Sequence, residues 1–334
     1  MRFLEDFYGN ERQKDYFASL IEEGKCSHAY ILEAPAGSGK KTFARLLAAA
    51  LAFSSEKEDE RDAKCRRIME GTSPDVMMLT REEGKKTIGV DATRDFCASA
   101  YLTPSELNFK MYIFDEADKI TPQAQNALLK IIEEPPHGVY MLLLCENSLS
   151  LLSTVRSRAQ KITLEVFDED ALLSYAKKHA LKGAEDEEKL RFAVRMAEGA
   201  IGKLSFLLES GDTEFSAYHT ARKIVEGQVS KNRGVSYFDF LKMITDFAST
   251  REALDALTKY LMSAYGDLAR IKHADEAPLH FFMADEAEKL SLFLTTSAIA
   301  ESFAAIDAVR RDMQFYTSLS LSAANLAMAL WKAS

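Results

Sequence analysis

Apolar positions follow two regimes along this chain. As far as about residue 165, short apolar runs alternate with segments whose apolar residues recur every three or four positions; beyond it, only the helical spacing continues. The runs are Tyr30-Ile31-Leu32, Val76-Met77-Met78-Leu79, Met111-Tyr112-Ile113-Phe114, residues 140–144 and Ile162-Thr163-Leu164. Predicted helices lie ahead of the first run and between the runs. Tyr16, Phe17, Leu20 and Ile21 mark one over 11–23, with Gly24 as its stop, and Phe43, Leu46, Leu47, Ala50 and Leu51 mark another from about Lys41. Asp91 is expected to cap a helix that carries Phe96 and Tyr101 inward. Thr121 caps and Pro122 begins a helix with Ala124, Ala127, Leu128, Ile131 and Ile132 on its inner face, stopped by Pro135-Pro136. Wholly apolar strands alternating with helices predict a parallel α/β sheet covered on both faces. Residues 54–67, dominated by charge from Glu56 to Asp62, read as an exposed excursion with no strand or core signal.

After about Phe167 the strand signal ends. Leu172, Leu173, Tyr175 and Ala176, then Leu190, Phe192, Ala193 and Met196, then Leu204, Phe206, Leu207 and Leu208 predict three short helices. From about Gly211 the pattern is helical throughout, with Phe238, Leu241, Ile244 and Phe247, then Leu254, Leu257, Leu261 and Tyr265, and a last helix near 320–331. The expected architecture is a parallel-sheet α/β domain over 1–165, a small three-helix domain over 166–210 and an all-α domain over 211–334.

Composition narrows the partners. The net charge of −9, from 51 acidic and 42 basic residues, argues against a chain that wraps nucleic acid by itself. Cys26, Cys65, Cys97 and Cys145 are widely spaced with no C-x-x-C pair, which suits free thiols in a reducing cytoplasm. Glu5-Asp6 follows the first residues, unlike a signal peptide, and no apolar run approaches the ~20 residues of a membrane span.

The chemistry concentrates where strands end. Ala34-Pro35-Ala36-Gly37-Ser38-Gly39-Lys40-Lys41-Thr42 joins the first strand to a helix and approaches the phosphate-binding form G-x-x-x-x-G-K-[ST]. There, glycines let backbone N–H groups cradle phosphates, the lysine reaches the terminal phosphates and the hydroxyl ligates Mg²⁺. Gly37, Gly39 and Lys40 remain, but Ala34 replaces the first glycine and Lys41 the hydroxyl residue. Thr42 is displaced by about 100° around the helix. Asp115 and Glu116, directly after the third strand, match the second half of such a site: one carboxylate for the metal, the next for the attacking water. Both pieces should meet at the carboxyl ends of the strands.

The domain order resembles AAA+ clamp-loader subunits. Ser27-His28-Ala29-Tyr30, Gly71-Thr72-Ser73-Pro74-Asp75, Thr87-Ile88-Gly89-Val90-Asp91, the helix Gln125-Asn126-Ala127-Leu128-Leu129-Lys130-Ile131-Ile132 closing in Glu133-Glu134-Pro135-Pro136, and Thr154-Val155-Arg156-Ser157-Arg158 resemble the delta-prime family of the bacterial DNA polymerase III clamp loader. These motifs cover residues 8–165 densely and the helical remainder weakly.

The resemblance implies a stator without intrinsic ATPase activity. Such a subunit joins gamma/tau motor subunits and a delta subunit through its C-terminal domain, in a complex that places a sliding clamp on primed DNA. It also implies a trans-acting catalytic role for Arg158, which would reach the γ-phosphate held by a neighbouring motor subunit. In the family a cysteine follows that arginine; here it is Ala159. No cofactor is then required, and ATP with Mg²⁺ at Gly37, Gly39, Lys40, Thr42, Asp115 and Glu116 is conditional on the altered loop binding nucleotide. Of a four-cysteine zinc module found in many relatives only Cys65 remains, with Asp62 at the preceding ligand position, so no zinc is expected. Gly202 stands where motor subunits place a phosphate-sensing arginine, and Lys203 is one position off. The alternative is a motor subunit proper, hydrolysing ATP with Lys40, Asp115 and Glu116.

Overall fold

Each apolar run becomes a strand, and the alternation of its side chains sends two sets of residues to opposite faces. In the computed structural model, which describes residues 3–55, 58–82, 84–209, 212–230, 236–273, 279–315 and 318–333, the strands are β1 (Ala29–Glu33), β2 (Val76–Leu79), β3 (Lys110–Phe114), β4 (Val139–Cys145) and β5 (Gln160–Thr163). They form one parallel sheet in the order β2-β3-β4-β1-β5. Tyr30, Leu32, Met111, Ile113, Leu142 and Leu144 bury on one face; Ile31, Tyr112, Phe114, Met141, Leu143 and Cys145 bury on the other. This two-sided burial is why β1, β3 and β4 lack polar alternation, whereas the edge strand β5 is largely exposed.

The first face is covered by α1 (Glu11–Glu22), α2 (Lys40–Ser55) and α3 (Glu58–Glu70). Phe17 packs its ring against Tyr30 at 5.0 Å and Phe43 at 5.7 Å. The second face is covered by α4 (Val90–Cys97), α5 (Pro122–Glu133) and α6 (Ser153–Arg156). Thr121 caps α5 through its Oγ1, which accepts from Ala124 N. Buried Asp75 accepts three backbone N–H groups, from Ser105, Glu106 and Leu107 at 2.6–2.9 Å, and so fastens the chain ahead of β3. His28 Nε2 lies 2.7 Å from the Ile132 carbonyl, a hydrogen bond that ties the start of β1 to the end of α5.

Three expectations change. Residues 58–70 are helical rather than an open excursion, because Cys65 and Ile68 share a face and bury against α2 while Glu60, Asp62 and Arg66 stay exposed; Glu56 and Lys57 lie outside the described residues. Asp91 sits in the first turn of α4 and Gly89 holds the cap position. Tyr101 is exposed, since the chain leaves α4 through a 3₁₀ turn over Ala98–Tyr101, while Phe96 packs edge-on against Tyr112 and Phe114.

The chain divides into two compact units, residues 1–167 with 200–202, and residues 168–199 with 203–334. The second is helical in its described residues: α7 (Glu169–Lys178), α8 (Glu187–Ala197), α9 (Ile201–Glu209, whose first two residues cluster with the first unit), α10 (Asp212–Val229), α11 (Tyr237–Phe247), α12 (Arg251–Lys272), α13 (Ala284–Ser291), α14 (Thr296–Asp312) and α15 (Leu319–Lys332). The boundary expected near Gly211 falls outside the described residues. α12 runs through the middle of this unit with Leu254, Leu257, Leu261, Tyr265 and Leu268 buried. Asp267 on it is fully buried and accepts backbone N–H groups from His280, Phe281 and Phe282, which holds both phenylalanine rings in the core. Phe206 and Phe238 point to solvent instead; Leu204, Leu207 and Leu208 fill the face of α9 and Phe240 with Ile244 that of α11. Among the described residues no single helix is long and apolar enough to cross a membrane.

Candidate functional site

β1 ends beside β4, and β3 ends on the other side of β4, so the loops after all three strands open at the same edge of the sheet. There they line a cavity of about 540 Å³, whose walls include Gly37, Gly39, Lys40, Lys41, Asp115 and Glu146. Thr42 and Glu116 line it as well, so every expected nucleotide-site residue meets there. Gly37 and Gly39 adopt φ of +77° and +82°, the left-handed conformations a tight phosphate-type loop needs and side chains resist.

The polar groups of the cavity answer one another. Lys40 folds back on its own loop, its Nζ donating to the Ala34 carbonyl at 2.6 Å and the Pro35 carbonyl at 2.8 Å. Burial pushes its ammonium below the ordinary lysine range, against the upward pull of Glu146, Cys145, Asp115 and Asp118. Lys41, standing at the position of the metal-binding hydroxyl, places Nζ 2.7 Å from Asp115 Oδ2, and Asp115 is almost wholly buried. Glu116 is gripped by Arg81 through Nε at 3.1 Å and Nη2 at 3.3 Å. Burial alone would raise the Glu33 carboxyl, but hydrogen bonds from Lys161 and Ser148 overcome it and hold the group below the ordinary glutamate range.

Gly202 closes another route. Its N–H donates to the Gly37 carbonyl at 2.8 Å, and a Cβ at position 202 would lie 2.7 Å from that oxygen. An arginine cannot occupy this position without displacing the loop. Nor do the residues present fit a divalent cation, which takes about six oxygen ligands. Lys41 has removed the hydroxyl and paired with the carboxylate, and no group of three or more His, Cys, Asp or Glu able to hold a metal gathers among the described residues. Cys65 is buried with Sγ 3.4 Å from the Ala49 carbonyl; Cys97 and Cys145 are buried and free, and their thiols are pushed up to about 12 by burial.

Arg158 lies elsewhere, on the turn after α6, and does not line the cavity. Its Nε pairs with Glu133 Oε1 at 2.8 Å, and Nη1 donates to the Thr154 carbonyl at 3.0 Å and to Ser157 Oγ at 3.3 Å. The guanidinium is braced at Nε and Nη1, and among the described residues Nη2 makes no hydrogen bond. Glu133, Arg81 and the contact of Gly202 with Gly37 were not foreseen. Glu133 stands in a motif already singled out, whereas nothing local in the sequence marks Arg81.

A parallel sheet with a glycine loop after its first strand and acidic residues after its third defines a nucleotide-binding-like α/β fold. Residues 9–168 match the family model described as "DNA polymerase III, delta subunit". The chain is 34% identical over 139 residues to the delta' subunit of Yersinia pestis DNA polymerase III, covering 40% of this chain and 41% of that one. It is 30% identical over 191 residues to the gamma subunit of Buchnera aphidicola from Schizaphis graminum, covering 56% and 52%. A gamma-subunit-related protein of Thermotoga maritima superposes at TM-score 0.46 with 17% identity, covering 95% of this chain and 98% of that one. The chain spans only part of the length of the curated relatives it matches, 52%, 58% and 37% for three of them. The N-terminal half of the chain is thus similar to DNA polymerase III subunits of the delta, delta' and gamma kinds.

Proposed function

We propose that this chain is the delta-prime stator of a clamp loader, and that it supplies Arg158 to the ATP site of a neighbouring motor subunit. The observation that carries the reading is the presentation of Arg158: a part-exposed guanidinium outside the chain's own cavity, braced at Nε and Nη1. A planar cation so placed suits the charge that develops on a transferring phosphoryl group. On this reading the N-terminal unit is the interface element, residues 166–210 form a lid and residues 211–334 a collar that joins gamma/tau and delta subunits. The assembled cytoplasmic complex, not this chain, acts on the sliding clamp and primed DNA.

The motor reading draws on the complete acidic sequence Asp115-Glu116-Ala117-Asp118 and on the match to gamma subunits. Against it, Lys41 occupies Asp115 and Arg81 occupies Glu116. The test is Arg158→Ala in a complex reconstituted with its motor and delta subunits. Assembly should be unchanged and clamp- and DNA-stimulated ATP turnover should fall at least a hundredfold, a threshold set tenfold below the lower end of the roughly 10³–10⁵ that an arginine finger contributes. Unchanged turnover refutes the role.

A further inference from the structure

The geometry points to Lys41 as a built-in cation that takes the electrostatic place of a divalent metal at Asp115, and so holds an otherwise retained cradle closed to a metal-bound nucleoside diphosphate. This inference concerns the chain's own cavity and does not rest on the role of Arg158.

Asp115 is the starting point. It follows β3 directly, its N–H bonded to the Leu79 carbonyl at 2.9 Å, and its side chain is only 7% exposed. A carboxylate taken so far out of water needs a counter-charge at close range. In a loop with a hydroxyl at position 41, a metal would supply it. Here the first turn of α2 delivers an ammonium to 2.7 Å from Oδ2. One substitution therefore removes a metal ligand and provides the metal's charge. An ordinary surface pair would have two solvated partners; Lys41 is 54% exposed but its partner is buried, so the pair is anchored from the carboxylate side.

The rest of the cradle is retained. Gly37 and Gly39 keep their left-handed turns, Lys40 stands on the loop, and the cavity of about 540 Å³ remains open beside them. Around it, Glu116 is answered by Arg81 and Asp118 by Lys119. Without Lys41, Asp115 and Glu146 would face the cavity with Lys40 as the nearby cation, a lining that draws in a divalent ion together with a diphosphate. The block is thereby localised to one side chain.

The experiment titrates the full chain calorimetrically with ADP, in Mg²⁺ and in EDTA, for the natural protein, Lys41→Thr, Lys41→Arg and Lys41→Thr/Asp115→Asn. The natural protein and Lys41→Arg should show no dependence of ADP affinity on Mg²⁺ beyond twofold. Lys41→Thr should bind ADP at least tenfold more tightly in Mg²⁺ than in EDTA, and the added Asp115→Asn should abolish the difference. Tenfold Mg²⁺ dependence in the natural protein, or none in folded Lys41→Thr, overturns the inference. If Lys41→Thr fails to melt cooperatively, restoration of its transition by Mg²⁺ supports the inference and failure of Mg²⁺ to restore it overturns it. The readout is binding by the isolated chain, so its failure is separable from any failure of the trans role, which is read in the assembled complex.

Discussion

Replacing Glu133 by alanine removes the brace on Arg158 without touching the guanidinium that would do the chemistry. The two groups meet at 2.8 Å, with side chains 39% and 47% exposed, so the ion pair itself contributes under about 1 kcal/mol. Its larger effect is on order: holding a rotamer-rich side chain in one conformation costs about 0.5–1.5 kcal/mol at the moment of binding, and the brace meets part of that cost beforehand. Losing roughly 1 kcal/mol of preorganisation reduces turnover about fivefold, since a factor of ten corresponds to ~1.4 kcal/mol. In the reconstituted complex, Glu133→Ala is therefore expected to lower clamp- and DNA-stimulated ATP turnover about three- to sevenfold. Glu133→Gln, which keeps an acceptor for Nε, should recover most of the loss. The melting temperature of the isolated chain should move by less than about 4 °C, because a half-exposed pair adds little to the stability of a unit this size. Turnover unchanged or raised in Glu133→Ala would show that Glu133 restrains Arg158 rather than presenting it. A loss as large as that of Arg158→Ala would show that Glu133 has a part of its own.

Other consequences concern stability and reactivity. Asp75→Asn leaves buried N–H groups of residues 105–107 short of acceptors and should cost about 2–4 kcal/mol, a fall of roughly 5–15 °C in the melting temperature; a shift below about 2 °C contradicts the anchoring role. Because Glu33 is held below its ordinary range, its pairing stabilises the fold above about pH 5 and is lost as pH falls through the lowered value. Lys161→Met should therefore lower the melting temperature at neutral pH and converge with the natural protein once pH falls below the lowered Glu33 value, and a difference independent of pH would refute the assignment. Cys97 and Cys145, with thiols pushed up to about 12, should resist alkylation at pH 8 until the chain is unfolded, as mass spectrometry would record.

Much of the N-terminal unit was legible because both determinants are local. A strand buried on two faces must be apolar throughout, and a cap such as Thr121 before Pro122 needs only adjacent residues. The strand–loop–helix around Gly39 and the carboxylates after β3 could thus be placed together at one edge. The charge-dominated segment misled, because two buried positions, Cys65 and Ile68, suffice to hold a helix whose other faces are solvated. Tyr101 was expected inward on spacing, and Phe206 and Phe238 share the spacing of their helices yet are exposed; which apolar residue of a helix meets the core depends on packing that spacing does not encode. In the site, sequence showed that Lys41 was anomalous but not that it pairs with Asp115, some seventy positions away along the chain and brought near by the sheet order. The same holds for Gly202, whose missing side chain makes sense only once the Gly37 carbonyl lies against it. Glu133 needed the turn after α6 to fold back over the end of α5.

The central claim is that this subunit acts on a neighbour's nucleotide and not on its own. It is tested most directly by measuring clamp- and DNA-stimulated ATP turnover of complexes that differ only at Arg158 or Lys40 of this chain. Arg158→Ala should depress turnover at least a hundredfold, whereas Lys40→Ala should leave it within about twofold of the natural complex. The reverse pattern, with Lys40→Ala disabling the complex and Arg158→Ala sparing it, would identify the chain as a motor subunit and contradict the claim.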